Sequence, residues 1–329
     1  MTAAHSIKRG VSLYSFQDEY FHRKLSLEDI IAVTAKLDIP GIEIIGDQMI
    51  PGYPNLTDAF VKQWHGWMDK YGRTPVCLDM FLDWNQYKGR VMTFDERVAS
   101  ITKDIINANK LGCTVIRVIH DVQPEIMEKL APTAEKYNVK LALEIHAPHH
   151  LDTELEQRLI ETFERVQSPF IGFTIDMGIY TRRIPRVSMD RARREGVNPV
   201  ILDYVDEAYN NHIDNQTIME TVVKMGATQF EMPWINQAAH NIYVDPRRML
   251  DYMKWIYHFH AKFQEMLPDY TEYSIPYDEI IPVLIEGGFS GYLDSEYEGN
   301  RHIQDVYEVD SVEQVRRQQM MLKRLLGED

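Results

Sequence analysis

Residues 140–176 read KLALEIHAPHHLDTELEQRLIETFERVQSPFIGFTID, and this stretch is the clearest indication of the fold. It contains two short strand-like runs, Lys140–Ile145 and Ile171–Asp176, separated by a segment with helical periodicity. Two strands joined by a helix are typical of a parallel βαβ unit. Glu144 lies near the end of the first run with His146 just beyond it, and the second run ends in Asp176. The stretch therefore predicts a parallel sheet with polar groups at the carboxyl ends of its strands.

The same alternation of strands and helices continues in both directions along the chain. Ser26 and Thr93 each precede a carboxylate by three residues, as in a helix-capping box, and Gly72 and Gly112 follow helical stretches. We predict a single (β/α)8 TIM barrel domain over residues 1–329, since such barrels routinely reach ~250 residues or more. The six further predicted strands are Arg9–Ser15, Gly41–Ile45, Thr74–Met80, Val115–Ile119, Trp255–Ala261 and Gly291–Glu296.

Composition narrows the class of protein. The formal net charge of −15 argues against nucleic acid or an anionic membrane as a partner, because both attract basic proteins. Cys77 and Cys113 lie in apolar strand-like contexts, so we expect buried thiols rather than a disulfide. Residues Met1 to Lys8 contain no apolar leader, and no run approaches the ~18 apolar residues of a membrane span. We expect a cytoplasmic protein.

One connection is much longer than a barrel requires. Between the sixth and seventh strands, residues 180–248 form a predicted insertion with an arginine-rich start and the sequence Met232-Pro233-Trp234. A long excursion from a compact barrel is usually a lid, a binding loop or an interface. The alternative is an elongated helical hairpin without a special role. We expect a lid over the barrel mouth or, preferably, a contact surface for another subunit, with the arginines pairing with interface carboxylates.

Polar residues at the ends of strands five to eight indicate a metal site. Active sites of TIM barrels lie at the carboxyl ends of the strands, where this chain places Glu144, Asp176, the pair His258 and His260, and Glu296. Taken singly, each has a plain alternative, such as a salt-bridge partner or a packed histidine. Converging carboxylates repel one another unless a cation lies between them. A mixed oxygen and nitrogen donor set without cysteine suits Mn²⁺ or Mg²⁺, and Fe²⁺ or Zn²⁺ less well.

This arrangement resembles the metal site of the xylose-isomerase-like barrels, a superfamily of sugar isomerases and epimerases. The resemblance implies that the ligands are Glu144, Asp176, His260 and Glu296. It favours His260 over His258 because His260-Ala261-Lys262 matches the His-x-Lys run of the superfamily. Two departures weaken an ordinary epimerase assignment. No histidine follows Asp176 closely, and Phe263 stands where an acid usually follows the His-x-Lys run.

Three motifs resemble a narrower family, the large catalytic subunit of bacterial C-glycoside deglycosidases. They are VSLYSFQD at residues 11–18, LEIHAPH at residues 143–149 and SEYEG at residues 295–299. The resemblance implies a lyase that cleaves the C–C glycosidic bond of 3-oxo-C-glucosides with an aromatic aglycone. It also implies a divalent metal, for which we expect Mn²⁺, and a small β-type subunit in a hetero-oligomer.

The implied chemistry suggests roles for further residues. A ketone at C3 acidifies the hydrogen at C2, and we expect His146 to be the general base, since imidazole titrates near neutral pH. Orientation of Glu144 is the alternative role for His146. We expect substrate contacts from side chains at the strand ends and in the loops beyond them, although ordinary packing is the alternative for each. These residues are Tyr14, Phe16, Trp84, His120, His258 and Glu298.

Two other functions compete with the lyase. A metal-dependent sugar isomerase or epimerase would act through an enediolate, with Glu144 and Glu296 as both ligands and proton-transfer groups. A binding protein that kept the barrel but lost the chemistry is the third possibility, and the intact strand-end ligands argue against it. The lack of a histidine after Asp176 favours the lyase.

Overall fold

Eight parallel strands pair in chain order, and the last pairs with the first, so the sheet closes into the predicted barrel. The computed structural model describes residues 5–83, 86–119, 122–239 and 241–328. The strands are β1 Lys8–Ser12, β2 Gly41–Ile45, β3 Thr74–Met80, β4 Val115–Val118, β5 Lys140–Ile145, β6 Ile171–Asp176, β7 Ile256–Phe263 and β8 Tyr292–Tyr297.

Helices connect the strands and cover the barrel. Both predicted capping boxes are confirmed, at Ser26 with Asp29 and at Thr93 with Glu96. Gly72 ends its helix with a φ of 61°, in the left-handed region that favours glycine. The helices are α1 Gln17–Phe21, α2 Leu27–Lys36, α3 Gly46–Met49, α4 Asp58–Tyr71, α5 Phe94–Leu111, α6 Pro124–Tyr137, α7 Glu154–Val166, α8 Arg186–Arg194, α9 Pro199–Asn210, α10 Asn215–Lys224, α11 Met232–Ala239, α12 Tyr277–Glu286, α13 Asn300–Ile303 and α14 Ser311–Leu326.

Two strand boundaries differ from the prediction in a way that matters for the site. β1 ends at Ser12 rather than Ser15, because Leu13–Phe16 forms a 3-10 turn that buries Leu13 and Phe16. β7 continues to Phe263, two residues beyond the predicted end. The extension places Lys262 inside the strand, where it pairs with Glu296 of β8 in the barrel ladder.

The interior of the barrel changes from apolar to charged along its axis. Toward the amino ends of the strands, Cys77, Val115 and Ala142 pack together as an apolar layer. Two residues further along the same strands, Asp79, Arg117 and Glu144 are buried and charged, because side chains two apart share a face. The apolar core proper lies outside this layer, between the strands and the helices. Both cysteines are buried and free, as predicted.

The insertion between β6 and β7 folds as four helices, α8 to α11, with a small hydrophobic core of its own. Three arginines near its start pair with carboxylates outside the insertion. Arg182 binds Glu279, Arg186 Nε lies 3.0 Å from Glu265 Oε2, and Arg194 Nη2 lies 2.8 Å from Asp305 Oδ1. These three guanidinium groups therefore form their ion pairs within this chain, whereas the sequence predicts that they pair with carboxylates at a subunit interface.

Among the helices of the described residues, none combines the length and the apolar character needed to cross a bilayer.

Candidate active site

A cavity of about 430 Å³ opens at the carboxyl ends of the strands. Its wall combines residues of β4 to β8, residues of the barrel loops, including those after β1 and β3, and residues of the insertion. The strand ends and barrel loops contribute Tyr14, Phe81, Arg117, Ile119, Glu144, His146, Asp176, Lys262, Glu296, Glu298 and Arg301, among others. The insertion contributes Thr181, Pro185, Ser188, Gln237 and Asn241. The mouth of the barrel is thus bounded by both parts of the chain.

The imidazole of His260 contacts two carboxylates of this cavity, those of Glu144 and Glu296. His260 Nδ1 lies 2.8 Å from Glu144 Oε1 and 3.3 Å from Glu296 Oε1. His260 is fully buried, whereas both carboxylates line the cavity. The ligand atoms of these three residues all lie within 4.8 Å of one another, which is close enough to hold one metal ion.

Asp176 also lines this cavity, but its carboxylate contacts Gly178 and Lys262 rather than His260. Its Oδ1 accepts a hydrogen bond from the backbone N–H of Gly178 at 2.6 Å, and its Oδ2 binds the ammonium group of Lys262. Lys262 Nζ also lies 3.3 Å from Glu298 Oε2 and 3.6 Å from Glu296 Oε2. A positive charge therefore sits among three carboxylates at the point where the sequence predicts a cation.

The pKa values follow from burial and from these contacts. Burial by itself raises the pKa of Glu144, but Arg117 and His260 outweigh it, so the pKa falls below its usual value. Burial raises the pKa of Glu296 to about 7, against the opposing effects of His260 and Lys262. A cation placed beside Glu296 would stabilise its ionised form.

His146 lies just beyond the end of β5 and lines the cavity. Its Nδ1 is 2.7 Å from the carbonyl oxygen of Ala147. Because a carbonyl oxygen only accepts, Nδ1 carries the hydrogen, and in the neutral ring Nε2 is the basic nitrogen. His146 is close enough to Glu144 to contribute to the lowered pKa of that carboxylate.

Arg117 places a second cation in the cavity wall. Its Nε lies 2.6 Å from Asp79 Oδ1 and 3.6 Å from Glu144 Oε2, and its guanidinium lies 5.2 Å from the ring centre of Phe81. The contact with Asp79 is an ion pair without hydrogen-bond alignment. Burial lowers the pKa of Arg117, but Asp79 and Glu144 outweigh this, so the group stays charged.

Glu298 links Lys262 to two further residues, Arg301 and Tyr14, at one side of the mouth. Arg301 binds the hydroxyl of Tyr14, and its Nη2 lies 3.1 Å from Glu298 Oε1. Burial raises the pKa of Tyr14 to about 12, and the neighbouring Glu298 adds to this effect. Tyr14 is therefore a neutral hydrogen-bonding group on the cavity wall at physiological pH.

The residues present fit a divalent metal ion. Three carboxylates and one imidazole nitrogen form a hard, mixed donor set at the bottom of an accessible cavity. Within the described part of the chain, Glu296 Oε2 is buried and has no hydrogen-bond donor, which is unfavourable unless another group binds it. Glu144, Asp176, His260 and Glu296 are thus the candidate ligands.

The structure brings most, but not all, of the predicted site residues to this cavity. Glu144, His146, Asp176, Glu296, Tyr14 and Glu298 line it, and His260 contacts two of them. Phe16 and His258, two of the predicted substrate contacts, do not line it. Phe16 is packed in the core by the 3-10 turn, and His258 is fully buried inside the barrel. Trp84 and His120 lie outside the described residues.

Several charged residues inside the barrel are not singled out from the sequence, and one of them, Arg117, lines the cavity. Glu43, Asp79 and Arg117 each occur within an otherwise apolar strand, and all three are buried inside the barrel. The signal was present, because strands of a parallel barrel are covered on both sides and normally read as continuous apolar runs. An isolated charge in such a run indicates a functional or structural role in the interior.

Comparisons of sequence agree with this architecture. The sequence profile of the xylose isomerase-like TIM barrels matches residues 31–325. A 3'-dehydrocarminate deglycosidase alpha subunit from Microbacterium sp is 31% identical in an alignment that covers 100% of this chain and 98% of that protein. A C-glycoside deglycosidase alpha subunit from Microbacterium trichothecenolyticum is also 31% identical, over 91% of this chain and 85% of that protein.

Solved structures share the fold at much lower identity. D-psicose 3-epimerase in the presence of D-fructose superposes with a TM-score of 0.60 at 12% identity and covers 97% of this chain and 99% of its own. The IolI protein with a bound zinc atom superposes with a TM-score of 0.57 at 14% identity, over 98% of both chains. At these identities the likeness establishes the barrel alone.

Proposed function

Because this chain belongs to the xylose isomerase-like TIM barrels and, within them, to the C-glycoside deglycosidase alpha subunits, we propose that it is a metal-dependent C-glycoside deglycosidase. The proposed reaction cleaves the C–C bond between the sugar and the aromatic aglycone of a 3-oxo-C-glucoside, so the enzyme would be a carbon–carbon lyase. One observation carries the proposal. His146 and the Glu144–His260–Glu296 cluster meet at one cavity, where a base and a charge-stabilising centre can act on one sugar ring.

Glu144, Asp176, His260 and Glu296 would hold the metal ion, and Mn²⁺ is our proposal for its identity, with Mg²⁺ as the alternative. Oxygen-rich donor sets with one imidazole suit these ions. When bound, the ion supplies Lewis-acid stabilisation of the negative charge that develops on a substrate oxygen. Lys262 would have to leave Asp176, and Glu298 is the carboxylate available to receive it.

His146 is the proposed base. Its Nε2 would take the proton from C2, whose acidity comes from the neighbouring C3 ketone, and the electron pair would form the enolate of that ketone. As the ketone re-forms, the C1–aryl bond breaks and a C1=C2 double bond appears. The bonding pair leaves with the aglycone carbon, which must gain a proton.

Arg117 is the proposed donor to the enolate oxygen. Its guanidinium lines the cavity beside Glu144 and stays charged at all relevant pH values. Fixed donors aimed at a developing oxyanion commonly contribute ~3 kcal/mol to transition-state stabilisation. Phe81 and Tyr14, which also line the cavity, would offer aromatic surface to the aglycone.

Sugar isomerisation or epimerisation is the second candidate function, and one observation favours it. Glu144 and Glu296 line the cavity together, so each would be both a metal ligand and a proton-transfer group. Two such groups could serve the two faces of a carbon in an enediolate mechanism.

The insertion, residues 180–248, has two proposed roles. Its inner residues line the cavity, which supports a cover over the barrel mouth. Its outer surface exposes Val200, Val223 and Phe230, which supports contact with another protein. Since the relatives are named alpha subunits, we propose a small β-type subunit as the partner in a hetero-oligomer.

The test is a paired activity assay. Metal-depleted protein, alone and co-purified with a small subunit, is incubated with a 3-oxo-C-glucoside and in parallel with ketoses, in the presence of Mn²⁺ or Mg²⁺. We expect metal-dependent release of the free aglycone, measured by liquid chromatography with mass detection. Interconversion of ketoses without aglycone release would establish the second candidate function instead.

Elemental analysis completes the same experiment. We expect Asp176→Ala and Glu296→Ala to lose bound metal, whereas Thr174→Val, a nearly isosteric change in the same barrel interior, retains it. Wild-type metal content in both carboxylate variants would contradict the ligand assignment.

A further inference from the structure

A second polar cluster lies inside the barrel, and the proposed reaction does not use it. It consists of Glu43 on β2, His258 on β7 and Asp294 on β8, all fully buried. None of the three lines the cavity. Buried charged groups destabilise a fold unless they are paired, so this cluster needs an explanation.

Glu43 joins this cluster to the candidate metal site through a single oxygen. Glu43 Oε2 accepts hydrogen bonds from His260 Nε2 at 3.1 Å and from His258 Nε2 at 3.0 Å. His258 Nε2 is also 3.4 Å from Asp294 Oδ2. The two imidazole planes are nearly perpendicular, at 89°, so each ring approaches Glu43 from its own direction.

The two nitrogens of His260 therefore face different groups. Nε2 faces Glu43, and Nδ1 faces Glu144 and Glu296 at the cavity. A nitrogen can bind a metal ion only without its hydrogen, and a carboxylate on the opposite nitrogen keeps the remaining hydrogen there. The arrangement orients the ring and selects which nitrogen is presented to the cavity.

We propose that Glu43 is a positioning residue that holds the Nε2–H of His260 and thereby presents Nδ1 to the metal site formed with Glu144, Asp176 and Glu296. His258 and Asp294 hold Glu43 in turn, since His258 bridges the two carboxylates. Gly10 makes this packing possible, because a Cβ there would lie 1.9 Å from Asp294 Oδ1. The proposal rests on the metal site of the proposed function, but not on the reaction assigned to it.

The test measures metal affinity and needs no substrate. Mn²⁺ is titrated into the metal-depleted full-length protein by calorimetry for wild type, Glu43→Leu and Glu43→Gln, and bound metal is counted by elemental analysis. We expect Glu43→Leu to weaken the Kd by about 10- to 100-fold, the usual effect of losing a partner that orients a ligand. Glu43→Gln keeps an acceptor oxygen of the same shape but loses the charge, so we expect a smaller loss.

Thr174→Val is the matched control. Thr174 is buried in the same interior beside His258 in the strand register, but it holds no ligand, and we expect a wild-type Kd. If Glu43→Leu does not fold, the Kd of Glu43→Gln for Mn²⁺ is the measurement that tests the proposal. A wild-type Kd in the Glu43 variants that fold would overturn the proposal. Two ions per wild-type chain, with one lost in the Glu43 variants, would also overturn it, because Glu43, His258 and His260 would then hold an ion themselves.

Failure of the proposed function gives a different result. If the wild-type protein binds no metal, both the proposed metal site and the positioning role of Glu43 are contradicted. Intact metal binding that depends on Glu43, combined with inactivity toward the 3-oxo-C-glucoside, would leave this inference standing and reject the reaction alone.

Discussion

His146 illustrates how a single backbone contact can select a chemical role. The ring donates Nδ1–H to the carbonyl of Ala147, the residue that follows it in the chain. This contact requires only local backbone geometry, so it does not depend on the metal site beside it. The basic nitrogen of the neutral ring is then Nε2, on the opposite edge of the imidazole.

Replacing this imidazole should separate proton transfer from metal binding. We expect His146→Ala to retain bound metal and to lose kcat by roughly 10²-fold or more, the usual scale for a positioned general base. Steady-state kinetics with the 3-oxo-C-glucoside and elemental analysis on the same sample measure both quantities.

His149 provides the control for this change. It follows three residues later, is outside the cavity lining, and lies 3.3 Å from Glu156. We expect near-wild-type turnover for His149→Ala. Loss of metal together with activity in His146→Ala would show that His146 supports a ligand rather than acting as the base.

At the level of elements, an irregularity in the sheet determines which residues of β7 face the interior. Between β6 and β7 the register shifts, so that Phe173 pairs with Ile256 but Thr174 pairs with His258. The extra residue is Tyr257. Because a shift of one residue reverses which face a side chain occupies, the bulge brings His258 and His260 into the barrel.

The insertion is an element whose attachment can be tested separately from its fold. We expect the double variant Arg186→Ala/Arg194→Ala to loosen the segment, because these arginines bind Glu265 and Asp305 outside it. Exposed ion pairs contribute about 0.5 kcal/mol each. Losing both should therefore raise the equilibrium constant for detachment of the insertion from the barrel by roughly fivefold. The measurements are limited proteolysis within residues 180–248 and KM for the substrate.

Arg193→Ala is the matched control for the insertion. Arg193 is a surface arginine of the same helix, but its partners, Asp190 and Asp203, belong to the insertion itself. We expect unchanged proteolysis and an unchanged KM. Equal behaviour of the double variant and the control would contradict the idea that the insertion is a cover docked on the barrel.

At the scale of the whole molecule, a buried carboxyl away from the active site should make stability depend on pH. Asp104 on α5 is 4% exposed and accepts a hydrogen bond from the Tyr53 hydroxyl. Burial raises its pKa from 3.8 to about 7, and the nearby Asp47 adds to the effect. The folded protein therefore holds this proton to a higher pH than the unfolded chain does.

The sign of the pH dependence follows from proton uptake. Between about pH 4 and pH 7 the folded state binds more protons at Asp104, so this group lowers the free energy of unfolding as pH rises. The full difference is on the order of 4 kcal/mol. We expect Asp104→Asn, which keeps an acceptor for Tyr53, to remove this contribution, as measured by urea unfolding at pH 4.5, 5.5, 6.5 and 7.5 (roughly even steps across the window).

Comparison with Tyr53→Phe isolates the carboxyl group. That variant loses the hydroxyl but keeps Asp104 buried, so it should retain a fall in stability with rising pH. Parallel pH profiles for wild type and Asp104→Asn would show that Asp104 is ionised in the folded protein at all these pH values.

Much of the architecture was determined by local sequence. Short strand-like runs separated by segments of helical periodicity, the capping boxes at Ser26 and Thr93, and the glycines after helices were sufficient for eight strands and a closed barrel. These signals act between neighbours in the chain, so they can be recognised without knowing the fold. The strand ends Glu144, Asp176 and Glu296 were located for the same reason, since the carboxyl ends of parallel strands share one edge.

Only the tertiary structure decided what the interior residues contact. Closing the barrel brings Glu43 on β2 against His258 and His260 on β7, although these strands are not neighbours in the sheet. The bulge at Tyr257 and the 3-10 turn that buries Phe16 likewise depend on packing across the molecule. A residue type and its position along a strand determine where a side chain can point, but the partner that stabilises it is brought close only when distant parts of the chain pack together.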